Sequence, residues 1–176
     1  MALVPVRSHK GAPRVRPYWM TNTTLYEGQL LVLQAAGTVG AQADGTDSQK
    51  IIGVAAHYVT AGSGVFKQVL VYDDPDQIFR GTLATGTYTL TDVGNGLPTS
   101  GNANALAGNS KLSACLLGAI DATTPIVESL KLVGMAFNAA AQNDAEGIFT
   151  SSTTATDGYV MINPALHVLN NAVGAA

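Results

Sequence analysis

The order of apolar and polar positions reads as short strands separated by turns. Leu30, Leu31, Val32 and Leu33 form an apolar run after Gln29, bounded by Gly28 and Gly37. Residues 51–60 are rich in β-branched side chains and interrupted by Gly53. Residues 65–72 alternate: Phe66, Gln68, Leu70 and Tyr72 fall on one face, Lys67, Val69 and Val71 on the other. A period of two marks a strand with two unlike faces. Asp73, Asp74, Pro75 and Asp76 end that strand with turn chemistry. An extended segment resumes over 77–83, and residues 87–91 read as a Thr/Tyr-rich strand. Residues 94–98 read as a turn, 99–109 as a small-residue loop, and 111–120, 126–137 and 158–162 as further strands. The polar stretch 138–157 reads as a long surface loop with a short helical turn at its alanines. No segment keeps a helical period with caps. The expectation is a mainly β fold, a small β-barrel or β-sandwich body over residues 25–176.

Residues 1–24 read differently. Pro5, Pro13 and Pro17 interrupt any helix and bias the residue before each toward extended geometry. The segment is expected to form an extended N-terminal arm, closed by Tyr18 and Trp19. Trp19 is the sole tryptophan and should anchor the arm, in the chain's own core first, otherwise on a neighbouring subunit. The body carries an internal echo. Lys50 to Ala55 resembles Lys131 to Ala136, and each is followed by a loop and a strand running into a proline, Pro75 or Pro164. Two related β units are the reading this supports.

Charge sharpens the division. The net charge is −3, yet Arg7, Lys10, Arg14 and Arg16 precede the first acid, Glu27. Removing those four bases from nine leaves five against twelve acids, a balance of −7 for the rest. A basic arm on an acidic body implies a partner for the arm, unless it is a disordered tail. Charged residues make up 12% of the chain, against about 25% in a usual soluble domain. A surface so sparsely charged, and rich in Gly, Ala and Thr, repels other subunits weakly. No apolar run is long enough to cross a bilayer, and the N-terminus lacks a signal-like apolar core. Synthesis in the cytoplasm is therefore expected.

Catalytic chemistry is hard to find. His9, His57 and His167 are far apart and share no metal-ligand spacing. Cys115 lies in an apolar stretch and reads as a small buried hydrophobe, and a single cysteine forms no intrachain disulfide. The cluster Asp73, Asp74 and Asp76 could attract a hard cation, but it lacks the calcium-loop pattern and reads first as an exposed turn. There is no phosphate loop, nucleophile elbow or dinucleotide fingerprint. The acidic body has no basic stripe for nucleic acid. No catalytic residue, metal, cofactor, small-molecule substrate or membrane is expected.

Several segments carry a resemblance. They are Tyr26-Glu27-Gly28-Gln29 leading into a strand, Ile52-Gly53-Val54-Ala55 before the Ala61-Gly62-Ser63-Gly64 loop, Val69 through Phe79, Leu132-Val133-Gly134, and Val160 through Pro164. Their order over about residues 25–165 resembles small tailed-bacteriophage head proteins, in particular capsid decoration (cement) proteins with a β-barrel or β-tulip core. The resemblance implies a virion structural subunit on the outer capsid surface, usually a homotrimer, whose partners are the major capsid protein and itself. It implies no catalytic residues. The contacts are then expected from the arm: Pro5, Arg7, Arg14, Arg16, Tyr18 and Trp19. Residues 1–20 are expected to order on the capsid by adding a strand to a neighbour's sheet edge. The competing expectations are a tail, neck or fibre-base protein of a phage, and a β-sandwich carbohydrate-binding module.

Overall fold

The computed structural model describes residues 2–8, 12–43, 49–84, 86–102, 104–119, 128–136 and 156–171. The expected loop at 138–157 lies almost wholly outside them. The strands in chain order are β1 (Val4–Ser8), β2 (Val15–Thr21), β3 (Thr24–Leu25), β4 (Leu30–Leu33), β5 (Val39–Ala41), β6 (Ile51–Ala55), β7 (Val59–Thr60) and β8 (Phe66–Tyr72). They continue with β9 (Gln77–Thr82), β10 (Gly96–Leu97), β11 (Thr99–Ser100), β12 (Ala105–Leu106), β13 (Asn109–Ser113), β14 (Leu116–Leu117), β15 (Leu130–Ala136) and β16 (Asp157–Ile162). One helical turn, α1 (Val168–Asn171), follows.

Two five-stranded antiparallel sheets dominate. The first has the order β1-β9-β16-β15-β10 and the second β2-β8-β6-β4-β5. One apolar cluster draws on both, with Phe79, Leu97, Leu130, Leu132, Val160 and Ile162 meeting Leu30, Val32, Ile51 and Val54. This is the core of a sandwich. The second sheet buries its other face as well, over Met20, Leu31, Val39, Ile52, Val69 and Val71, with Val168 and Leu169 of α1 against it. Its end strands β2 and β5 approach each other without pairing, so the sheet curls around that second cluster but does not close.

Within the expected arm, the described residues 2–8 and 12–24 do not stand off the body. β1 is an edge of the first sheet, paired with β9 from Val4–Arg80 to Ser8–Gln77. β2 is an edge of the second, paired with β8 from Val15–Tyr72 to Thr21–Phe66. β1 and β2 thus lie antiparallel to β9 and β8, and residues 73–76 join the two sheets at a corner. Strands that switch sheets at a bend are a usual way to join the layers of a sandwich. The segment is extended because its prolines favour that geometry, and its apolar residues Leu3 and Met20 are buried at 2% and 0% exposure.

Other segments also depart from the pattern. Residues 87–91, expected as a strand, instead lead into a tight turn at Leu90–Asp92. The Asp92 carboxylate accepts bonds from the Thr89 amide and hydroxyl, both at 2.7 Å, which closes the chain locally. Residues 94–98 contain β10, and the loop at 99–109 contains β11 and β12. The internal echo has a geometric counterpart. In β6 the extra residue Ile52 precedes Gly53, and in β15 the extra residue Val133 precedes Gly134. A side chain at Gly53 would place its Cβ 2.2 Å from the Tyr72 carbonyl oxygen. Each following strand ends in an Asx-Pro turn: Asp74 accepts from the Asp76 amide at 3.0 Å, Asn163 from the Ala165 amide at 3.1 Å.

Candidate functional site

The corner between the sheets brings together Arg14 and Arg16 of the N-terminal segment. Asp73 follows β8, and its side chain is fully buried. Its Oδ1 accepts a bond from Arg14 Nε at 2.9 Å, and Arg14 also reaches the Asp73 carbonyl at 3.0 Å. Its Oδ2 accepts the Tyr18 hydroxyl at 2.6 Å and lies 2.6 Å from Arg16 Nε. Arg16 and Tyr18 reach it because β2 alternates: they share one face with Val69 and Val71 in the paired register. Burial, then the bond to Asp73, pushes the Tyr18 phenol up to about 12. The acidic turn is therefore neither an exposed turn nor an open cation site at Asp73, since two guanidinium groups and a phenol occupy that carboxylate. Asp74 is buried too, at 8% exposure. Among the described residues no cluster of three metal-binding side chains occurs.

The opposite face of the same two strands is open. Val15, Pro17 and Trp19 on β2 stand beside Phe66, Gln68 and Leu70 on β8, and none is charged. Trp19 is 52% exposed and Phe66 61%. Trp19 is thus not an anchor in the chain's own core. A hollow of about 300 Å³ lies between these two rings and the β4–β5 turn, lined also by Ala36, Gly37 and Thr38. Grouped apolar side chains left in water mark interaction surfaces more often than scattered ones do.

The remaining sequence-based candidates divide. Pro5 is half-buried beside a cavity of about 300 Å³ shared with Leu3, Tyr72, Leu106 and Leu112. Arg7 pairs with Ile78 in the β1–β9 ladder. Arg14, Arg16 and Tyr18 converge on Asp73, while Trp19 faces outward. Phe66 and Leu70 were missed as surface residues. Their shared face was legible in the alternation of β8, but the identity of the solvent side was not.

Two buried polar groups support this frame. Asn102, fully buried, accepts the Leu30 amide at 2.7 Å and donates to the Leu30 and Gln42 carbonyls at 2.9 Å each. It ties residues 99–102 to β4 as a strand would. His167, also fully buried, accepts the Leu169 amide on Nδ1 at 3.1 Å and starts α1. Burial lowers its pKa to about 4, with the charges of Asp73 and Arg14 acting in opposite senses. Cys115 is buried and free.

The chain matches no protein-family model, no curated protein and no solved structure. Function must therefore be argued from the surface and core just described.

Proposed function

We propose that the chain is a virion structural subunit, a decoration protein that binds the outer surface of a tailed-phage capsid and stabilises the shell. In this reading the major capsid protein and further copies of the chain, as a homotrimer, are its partners. The supporting observation is the uncharged face carrying Trp19, Phe66 and Leu70, exposed on paired strands. Covering the open halves of the two aromatic rings removes about 200 Å² of apolar surface from water, worth about 5 kcal/mol before the costs of association. Repetition over a symmetric shell multiplies such a contact.

The test is imaging of the virion that carries the chain, together with its copy number. Hundreds of copies over the shell, with the Trp19 face against the capsid protein, support decoration. Six or twelve copies at the portal or tail move it to the neck or tail class, and absence from the particle overturns the reading. In a binding assay on purified shells, Trp19→Ala with Phe66→Ala should weaken attachment at least tenfold. One observation favours a second reading: an exposed tryptophan beside Thr38 and Phe66 is also a stacking platform for a sugar ring. Calorimetric titration with oligosaccharides separates the two.

A further inference from the structure

Leu3 and Ala55, both buried, form the floor of the cavity of about 300 Å³ beside Pro5. Its walls are Tyr72 at the end of β8 and Leu106 and Leu112 of the β12–β13 hairpin, all half-buried. Glu27 lines its exposed rim. Protein interiors leave few voids larger than a water molecule, so an apolar space of this size needs a reason to stay open. Backbone bonds supply one. The Gly28 amide donates to the Ala55 carbonyl at 2.8 Å, and the Leu3 amide to the Gly28 carbonyl at 3.2 Å. On the hairpin side, the Glu27 amide donates to the Lys111 carbonyl at 3.0 Å, and the Ser113 amide to the Glu27 carbonyl at 2.9 Å. β1 is fixed separately by its ladder with β9. Floor and walls are thus held by ladders that collapse of the cavity would break. A preformed apolar cavity of this volume lies at the small end of the range for small-molecule sites, about 300–1,000 Å³.

The lining selects the chemistry of a ligand. Its side chains are apolar apart from the Tyr72 phenol and the Glu27 carboxylate. Glu27 makes no ion pair among the described residues. Leu112 bridges to Glu27, and strand alternation puts Lys111 on the opposite face of β13 from Leu112. An anionic head would be repelled by that carboxylate and a neutral one would leave it unused. A cationic head pairs with it, and the Tyr72 ring adds attraction for a cation. Size follows from volume. An apolar cavity of about 150 Å³ takes a benzene ring, so this one takes about twelve non-hydrogen atoms.

We propose that this cavity binds a small amphiphilic amine, its apolar body between Leu3, Ala55, Leu106 and Leu112 and its ammonium against Glu27. The cavity shares no lining residue with the Trp19 hollow, and the proposal does not rest on the virion reading.

The test is calorimetric titration of the full chain at neutral pH and low salt with 4-phenylbutylamine, a probe of the expected size. 4-Phenylbutanol and 4-phenylbutyrate carry the same body with a neutral and a negative head. The amine should bind saturably, half-occupied at or below about 1 mM. It should bind about three- to fivefold more tightly than the alcohol, and the butyrate should be weaker than both. Glu27→Gln, at an exposed position, should lower the affinity for the amine to that for the alcohol and leave the alcohol unchanged, whereas a merely structural role for Glu27 would weaken both. Leu106→Trp should fill the cavity and abolish binding of all three. Because that variant can fail to fold, nuclear Overhauser contacts from the phenyl ring to the methyl groups of Leu3, Leu106 and Leu112 locate the amine on the unaltered chain. Absence of saturable binding, equal affinity for amine and alcohol, or phenyl contacts elsewhere on the protein overturns the proposal.

Discussion

Replacing Asp73 with asparagine tests whether the corner holds the N-terminal strands in place. The substitution keeps size and one acceptor oxygen, but turns an NH2 group toward donors that cannot all accept. The carboxylate takes three donors, from Arg14, Arg16 and Tyr18, at 2.6–2.9 Å. A bond to a charged group contributes about 1.5–3 kcal/mol when well buried. Here the carboxylate is buried, but the two arginine side chains are 45% and 46% exposed and can turn to water. Asparagine keeps an acceptor for the Tyr18 hydroxyl, and halving the two arginine bonds for that screening leaves a loss of about 2 kcal/mol. For a chain of this size that lowers Tm by about 4–8 °C. Urea unfolding at neutral pH, followed by circular dichroism, gives the global value. Hydrogen exchange should show the loss first in the amides of β2 and β1. Tyr18→Phe in the same background should be non-additive, because the phenol shares Oδ2 with Arg16. A loss under about 0.5 kcal/mol, or one that leaves exchange in β1 and β2 unchanged, refutes the argument.

The remaining predictions draw on other parts of the fold. His167 is neutral when folded, with a pKa near 4 against 6.5 in the open chain, so the unfolded state binds more protons between those values. Its contribution is complete above pH 6.5 and is lost as pH falls toward 4, by about 3 kcal/mol in all; His167→Gln should flatten the fall in urea midpoint over that window. Gly28→Ala would force a Cβ against Ala2 at a left-handed backbone position, φ +76°; we expect a loss of about 2–3 kcal/mol, with exchange rising in residues 2–8 before the rest. Asn102→Asp replaces a donor that serves two carbonyls with an acceptor facing them; a loss of at least about 3 kcal/mol in chemical unfolding is expected, from buried carbonyls left unpaired.

The strands were largely legible because their signals are local. The alternation from Phe66 to Tyr72 set both the strand and the two faces, and Val69 and Val71 are indeed buried while Phe66 and Leu70 are not. Cys115 could be read as a buried hydrophobe from its neighbours alone. Residues 87–91 misled because β propensity is weak beside one carboxylate able to cap its own turn, as Asp92 does. Asn102 gave no sign: it sits in a stretch of small residues, and its partner Leu30 is 72 positions away.

The N-terminal segment shows where the two kinds of information part. Its prolines and its basic charge are properties of the sequence, and they pointed to an extended segment with a partner of its own. They could not determine that one such partner is Asp73, 59 residues from Arg14, nor that Trp19 would face water while Tyr18 faced inward. Period and turn chemistry act over a few residues, so the chain by itself settles where strands begin and which side chains share a face. Which strand edges meet, and therefore which face is left for a partner, depends on long-range closure of the two sheets, and only the tertiary structure decides it.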